Sequence, residues 1–389
     1  MWLSSRQTGL RQVSTMSKLA ELLDELCPDG VEYRPLGDLL NYEQPTKYLV
    51  KLTEYDDSFD TPVLTAGRSF LLGYTDEKEG IYQASGSDPV IIFDDFTTGF
   101  HWVDFDFKVK SSAMKMLRPK DKAVASFRYV LHAMRTIRYV PGSHSRQWIS
   151  TYSKISIPVP PLEVQQEIVR VLDAFTDLEQ SLVSELELRK KQFDSVRRSV
   201  ISDSQAAEKK VLRLREAESV GIVTLGRGKV ISKKDIAANP GDYPVYSSSG
   251  AGNGEFGRYG NYMFDDERIS WSVDGGGRLF YRPAHRYSVT NVSGWMTVNI
   301  SDLQVKYLYY VLLSQWENES FDYTRKAHPS VIREVYAFSI PTIEIQDEVV
   351  SKLDSLESLI QSIEQEISLR RKQYEFYRDE LLSFTPKKD

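Results

Sequence analysis

Two long stretches of the chain carry one stripe of apolar residues at helical spacing. Apolar side chains recur three, four or seven positions apart over 168–200, and again over 349–381. Neither stretch contains Gly or Pro between 163 and 202 or between 344 and 383. This periodicity predicts two helices of about 40 residues, each about 60 Å long. A helix of that length with a single apolar stripe needs a packing partner.

The two predicted helices are copies of one sequence. Residues 165–193 align without a gap with residues 346–374, and 13 of the 29 aligned positions are identical. The match includes a basic hexapeptide, LRKKQF at Leu188–Phe193 and LRRKQY at Leu369–Tyr374. We therefore expect two related units, with each helix packed antiparallel against its copy.

The segments outside the repeated helices differ between the two units. Apolar runs that end in turns, at 89–96 and 268–277, predict strands, and residues 126–135 and 305–313 predict short helices. Asp95 aligns with Asp274 in this comparison. The sequence thus indicates an α+β fold: two mixed α/β domains joined by two long helices, packed as an antiparallel coiled coil, with a pseudo-two-fold internal repeat.

These patterns divide the chain into five segments. A short helix is expected to lead the first domain, because Leu19, Leu22, Leu23 and Leu26 recur at helical spacing, and to pack on unit one or cap the helix bundle. The predicted segments are a disordered N-terminal extension at 1–16, a first domain at 17–157, a first helical region at 158–204, a second domain at 205–340 and a second helical region at 341–389.

Composition narrows the class of protein. The 389 residues are 41% hydrophobic, enough for more than one buried core, and no apolar run is long enough to cross a membrane. The single cysteine, Cys27, excludes an intramolecular disulfide and a cysteine-rich zinc site, and it fits the reducing cytoplasm. The net charge of −6 argues against a protein that coats nucleic acid non-specifically, but it is compatible with a basic patch on one face.

Motifs for catalysis are weak. The FDD tripeptides at Phe93–Asp95 and Phe264–Asp266 could hold Mg²⁺ for phosphodiester cleavage, but they do not align with each other, which favours turn acids. The five histidines form no metal-binding helix pattern. We expect no catalytic residue and no metal site. A Mg²⁺-dependent nuclease that uses the FDD acids stays an alternative, as does a coiled-coil scaffold that never contacts DNA.

Both variable domains contain basic runs without acids. Residues 122–162 hold six Lys and Arg and no Asp or Glu, and residues 275–301 hold three Arg and no acid. These cations are interspersed with Tyr, Trp, Ser and Gln, which contact phosphates and base edges. A solvated basic face would account for one run, whereas two favour nucleic acid. The candidate DNA-binding residues lie in turn-like positions: Arg68, His144, Arg146, Gln147, Arg278, Arg325, Lys326 and His328.

Because the helix sequence is nearly the same in both units, we expect it to serve a function that the two units share. We expect their shared residues to act in helix packing and partner docking, ahead of contact with the phosphate backbone. The candidates are Leu172, Leu178, Arg189 and Lys191 in the first helix and Leu353, Leu359, Arg370 and Lys372 in the second.

The sequences of the repeated helices, together with one string near the N-terminus, resemble those of a known family. SIPVPPLEVQQEIVRVLD followed by LRKKQF, its counterpart SIPTIEIQDEVVSKLD followed by LRRKQY, and CPDGVEYRPLG near the N-terminus resemble the specificity subunit of type I restriction–modification enzymes. The resemblance extends from Ser17 onward. It implies two target recognition domains and recognition of double-stranded DNA, with no catalysis and no cofactor in this subunit.

The same resemblance implies partners. Two modification subunits would methylate adenine with S-adenosylmethionine, and restriction subunits would add cleavage that depends on ATP and Mg²⁺. The expected target is two short specified tracts separated by unspecified base pairs.

Overall fold

The protein forms two compact units. The structure, a computed structural model, describes residues 18–387 except 53, 68, 143, 207, 209, 249–251, 275–277 and 323. The predicted extension at 1–16 therefore lies outside the described residues. Unit one combines Met1–Leu182 with Ile367–Asp389, and unit two is Val183–Glu366.

Unit one contains a mixed α/β domain. Its leading helix α1 spans residues 18–26 and buries Leu19 in the core of this unit. Helices α2 (Leu36–Leu39) and α3 (Phe127–Met134) follow. The described strands are β1 (Tyr33–Pro35), β2 (Leu40–Glu43), β3 (Thr61–Leu64), β4 (Leu71–Thr75), β5 (Val90–Asp94), β6 (Phe100–Val103), β7 (Lys108–Val109), β8 (Met114–Pro119) and β9 (Ser156–Pro158).

A four-stranded sheet in the order β2-β8-β5-β6 is central to unit one, beside a three-stranded sheet, β4-β3-β7, and the pair β1-β9. Side chains along a strand point alternately to its two faces. Both faces of β5 are buried, so the strand is apolar on both. Ile91 and Phe93 enter the core formed with α3, while Val90 and Ile92 enter a second core with residues of the three-stranded sheet.

Unit two contains a second mixed domain. Its helices are α5 (Leu214–Ser219), α6 (Lys233–Ala238), α7 (Val305–Trp316) and α8 (Pro329–Val335). The described strands are β10 (Leu212–Arg213), β11 (Val223–Arg227), β12 (Tyr243–Tyr246), β13 (Glu255–Tyr259), β14 (Arg268–Ser272), β15 (Leu279–Arg282), β16 (Ser288–Val289), β17 (Ser293–Val298) and β18 (Ala337–Phe338).

The two domains share one strand order although their sequences differ. The sheets of unit two are β11-β17-β14-β15, β13-β12-β16 and β10-β18, which reproduce those of unit one strand for strand. The match also corrects one detail of the sequence alignment. The backbone of Asp95 accepts from Gln147 N and the backbone of Val273 accepts from Ala327 N, so Asp95 corresponds to Val273 and not to Asp274.

The two helices predicted from periodicity are α4 (Leu162–Ala206) and α9 (Ile343–Leu381). Each long helix contributes residues to both units, because the boundaries between the units fall within the helices. The matching residues Leu172 and Leu353 are fully buried, the first in the core of unit one and the second in the core of unit two.

Helix pairing is antiparallel within unit one. The rings of Phe175 and Tyr377 stack with centroids 5.3 Å apart, and Arg371 Nε donates to Glu179 Oε1 at 2.6 Å. Residue numbers therefore rise along α4 while they fall along α9. Within unit two, Lys190 and Glu364 form an ion pair at 2.7 Å between the same two helices.

A buried glutamine fixes the start of each long helix to its own domain. Gln165 Oε1 accepts from the N–H of Ser126, the N-cap of α3, at 2.8 Å, and its Nε2 donates to Pro160 O at 2.7 Å. Gln346 repeats these bonds with Gln304, the N-cap of α7, at 2.9 Å and with its own upstream Pro341 O at 2.8 Å. Both side chains are fully buried.

Replacing this glutamine should destabilise unit one. We expect Gln165→Leu to lower the free energy of unfolding by roughly 2–4 kcal/mol, because buried backbone groups lose their partners. The matched control is Gln166→Leu, since Gln166 is exposed, and it should change stability by less than about 0.5 kcal/mol. Denaturant unfolding of both variants is the measurement, and equal losses would contradict the assignment.

Candidate nucleic-acid interface

Three loops of unit one meet beside the turn between β5 and β6. A Cβ on Gly99 in that turn would lie 2.6 Å from Ala66 O in the loop between β3 and β4. The ring of Phe96 in the same turn stacks on His144, with centroids 4.4 Å apart and an interplanar angle of 9°. We name the described residues of the three segments 65–70, 95–99 and 144–151 loop cluster one.

Unit two brings together the topologically matching segments. Arg278 Nη1, after the turn between β14 and β15, donates to Gly252 O in the loop between β12 and β13 at 3.4 Å. Lys326 Nζ, in the segment before α8, lies 2.8 Å from Asp274 Oδ1 in that turn. We name the described residues of 247–254, 273–278 and 322–328 loop cluster two.

The predicted DNA-binding residues of unit one differ in exposure. His144 and Arg146 are exposed in loop cluster one. Gln147 is only 3% exposed, and its amide is already bonded, because Tyr139 OH donates to Oε1 at 2.7 Å and Nε2 donates to Ser145 O at 2.7 Å. Its side chain is therefore part of the loop's internal structure. Arg68 lies outside the described residues.

The predicted residues of unit two are all in loop cluster two or at its edge. Arg278 is exposed. Arg325 forms an ion pair with Glu319 at 2.7 Å, and its side chain stays 49% exposed. His328 is half-buried, and its Nδ1 accepts from Ser330 N at 3.3 Å, so it caps the start of α8.

Three of the six cations in the acid-free run 122–162 form hydrogen bonds with residues of the long helices. Arg128 Nε donates to Asp173 at 2.8 Å, Arg135 Nη1 donates to Tyr374 OH at 2.9 Å, and Arg138 Nη2 donates to Asp379 at 3.1 Å. Their acidic or phenolic partners lie on α4 and α9, far away in sequence. These three cations therefore have partners on the long helices, although the side chain of Arg138 stays 87% exposed.

The same contact region holds a buried histidine. His132 is fully buried, with Nε2 2.7 Å from Asp173 Oδ1 and Nδ1 3.0 Å from Tyr374 OH. Burial lowers the pKa of His132, which favours the neutral ring. Although burial raises the pKa of Asp173, hydrogen bonds from His132 and Arg128 lower it overall. The matching Asp354 accepts from Tyr310 OH at 2.7 Å, so this aspartate joins helix and domain in both units.

Two exposed residues were not among the candidates chosen from the sequence. Ile149 is 60% exposed in loop cluster one. Arg286 is exposed, and its guanidinium lies 5.1 Å from the ring centre of Tyr262. Arg282, in the same acid-free stretch, is instead buried, and desolvation lowers its pKa to about 10. Charge and composition do not separate these cases, because burial depends on the strand register.

The FDD acids have structural roles. Asp94 Oδ1 accepts from the N–H of Phe96 at 2.8 Å in the turn after β5, and Asp95 is buried in an ion pair with Lys115 at 3.0 Å. Asp266 pairs with Arg268 at 2.7 Å. Within the described ranges, no group of three or more His, Cys, Asp or Glu is placed to hold a metal ion. Nothing in this geometry supports the nuclease alternative.

The framework residues form a repeated surface. Arg189 Nη1 donates to Gln192 at 2.9 Å, and Arg370 Nη1 donates to Gln373 at 2.8 Å. Beside them, Leu188 is 66% and Leu369 is 60% exposed. Lys191 and Lys372 are also exposed, Leu178 is 37% exposed, and Leu359 is half-buried. No helix among the described residues is long and apolar enough to span a membrane.

The chain matches known proteins over nearly its whole length. A family model described as the type I restriction modification DNA specificity domain matches residues 28–188 and 217–369. The specificity subunit of the type I restriction enzyme EcoR124I/EcoR124II from Escherichia coli is 37% identical over 416 residues, covering 96% of this chain and 98% of that subunit.

Two solved structures have a similar fold. The crystal structure of a type I restriction–modification S subunit from M. genitalium covers 91% of this chain and 96% of its own, with a TM-score of 0.61 and 14% identity. A structure described for complex assembly and conformational transition of the type I restriction–modification system covers 92% and 98%, with a TM-score of 0.50 and 15% identity. The chain therefore belongs to the type I restriction–modification DNA specificity subunits, whose role is DNA sequence recognition and not catalysis.

Proposed function

We propose that the chain reads a bipartite target on double-stranded DNA. Loop cluster one would contact one half-site and loop cluster two the other, with unspecified base pairs between them. The observation that carries this proposal is that both units present three loops on the same strand order, while the loop sequences differ. One scaffold with two sets of loops suits two different half-sites.

The chemistry of the loops suits DNA. In loop cluster one, the exposed Arg146 can contact phosphate or guanine, and the exposed Ile149 can contact a thymine methyl group. In loop cluster two, Arg325 and Lys326 form ion pairs while their side chains stay about half exposed. Such pairs contribute little, so exchange of a carboxylate for a DNA phosphate costs little.

The repeated helices would bind two copies of one partner, a modification subunit. Exposed residues that match in both copies include Leu188 with Leu369 and Lys191 with Lys372. A leucine exposed to solvent at the same aligned position of both helices suggests that a partner covers it. Restriction subunits would join this assembly, S-adenosylmethionine, ATP and Mg²⁺ would bind in the partner subunits, and the complex would act on DNA in the cytoplasm.

Exchange of one domain tests the bipartite target. Replacing residues 220–338 with the matching segment of a family member of different specificity should change one half-site and leave the other unchanged. Mapping of methylated adenines across the genome of a host that carries each version is the measurement. A change in both half-sites, or in neither, would contradict the proposal.

Arg146→Gln should weaken binding of the assembled complex to its target duplex by about tenfold and reduce the slope of log K against log salt by about one, because one phosphate contact is lost. The matched control is Arg138→Gln, since Arg138 lies in the same acid-free run and is 87% exposed but lies outside loop cluster one. Binding isotherms at several salt concentrations provide the measurement. Equal losses for the two variants would remove Arg146 from the interface.

Leu188→Asp and Leu369→Asp should each cause the complex to lose one modification subunit, and the double variant should lose both, because a charge replaces an apolar contact. Val230→Asp is the control, since Val230 is 76% exposed and lies outside the repeated helices. Light scattering on purified complexes gives the stoichiometry. Full complexes with the double variant would show that these leucines are not docking residues.

A further inference from the structure

Asp95, which directly follows β5, accepts hydrogen bonds from the loop segment 144–151. Asp95 is 1% exposed, its Oδ1 accepts from Trp148 N at 2.7 Å, and its backbone oxygen accepts from Gln147 N at 2.8 Å. Two successive residues of the segment 144–151 are thus bound to the residue that directly follows strand β5 of the central sheet.

Lys115 on the neighbouring strand β8 holds Asp95 in turn. Its side chain is 1% exposed, its Nζ lies 3.0 Å from Asp95 Oδ2, and the same Nζ donates to Gln44 Oε1 at 3.1 Å. A buried carboxylate with a buried ammonium partner has little freedom to reorient. The acceptor for Trp148 N therefore has a fixed position.

Two side chains of this loop, Gln147 and Trp148, are buried beside that anchor. The ring of Trp148 is 2% exposed, with its centroid 5.1 Å from that of Phe93 on β5. Gln147 is bonded within the loop, as described above. Arg146 and Ile149, which flank these two residues, are exposed. The loop thus has two adjacent buried residues with exposed residues on either side.

Unit two anchors the matching segment with different chemistry. Trp271 Nε1 donates to Ala327 O at 2.8 Å, and Ala327 N donates to Val273 O at 3.1 Å. The indole lies over Gly294, where a Cβ would come within 2.2 Å of the ring. Gly294 is the second residue of β17, as Lys115 is of β8. The bulk of the tryptophan in unit two thus takes the place of the lysine–aspartate pair.

We propose that Asp95 and Trp271 are specificity-positioning residues: each fixes the loop that reads one half-site, without contacting DNA itself. This inference rests on the proposed bipartite function. It predicts that removal of the Asp95 acceptor disturbs recognition of one half-site only, while removal of the Trp271 donor disturbs the other.

Two double variants separate the anchor from the ion pair. Asp95→Asn/Lys115→Met removes both charges but keeps an oxygen that can accept from Trp148 N. Asp95→Ala/Lys115→Met removes both charges and that oxygen. Neither variant leaves an unpaired charge in the core. Each is assembled with its modification subunits, and thermal unfolding confirms folding.

The measurement is the ratio of affinities for four duplexes: the target found by methylation mapping, the target with either half-site altered, and the target with both altered. We expect the Asn variant to discriminate as the wild-type chain does, within about twofold. The Ala variant should lose about tenfold of its discrimination at one half-site and keep the other, since one mismatched base pair costs about this much. Equal discrimination by the two variants would overturn the proposal.

A second arm in unit two decides the matter if the Ala variant does not fold. Trp271→Phe deletes the indole donor and keeps a ring over Gly294. Its control is Trp295→Phe, because Trp295 Nε1 donates to Arg227 O at 3.0 Å and its ring lies over Gly226 in the same way. We expect only Trp271→Phe to lose discrimination, about tenfold and at the other half-site. Equal discrimination by the two would refute the positioning role, whereas a wild-type complex indifferent to both half-sites would refute the proposed function itself.

Discussion

The buried amide at the start of each long helix is the interaction on which the arrangement depends. Gln165 and Gln346 satisfy the N-cap of a domain helix and the carbonyl of the proline that leads into their own helix. An amide that is fully buried must have its partners in place, so the helix can begin in one orientation only with respect to its domain. Asp173 and Asp354 repeat this connection two turns later.

These buried contacts explain why the helix sequences are similar in the two units while the loop sequences differ. The framework must present the same donors and acceptors in both copies, and the sequence retains them at a spacing of 181 residues. The sheets need only an apolar pattern and a strand order, so their residues differ while their order is the same. Variation is therefore concentrated in the loops, where side chains are exposed and their identity does not determine the fold.

Periodicity made the long helices, strands β5 and β14, and the internal repeat predictable, because those signals are local. The order of the strands was not predictable, since β2 pairs with β8 more than 70 positions further on, and no local pattern encodes that pairing. The same limit applies to the candidate DNA contacts. Gln147 has the right chemistry for adenine, but Tyr139 and Ser145 bind its amide. Arg128 and Arg135 lie in an acid-free run, but they bond to residues of α4 and α9. These partners are far away in sequence, so the pattern of the run does not reveal them.

The different anchors of the two loops constrain how new specificities can arise. A segment grafted from unit one into unit two would bring Trp148, whose acceptor is a carboxylate held by Lys115, to a site where Gly294 and Trp271 occupy that space. The graft would lack its support, and the lysine could not be introduced beneath the indole. A recognition loop therefore keeps its conformation only when the strands that support it are transferred with it. Recombination between such genes should give a functional recognition domain when it transfers the whole domain, but not when it transfers the loop alone.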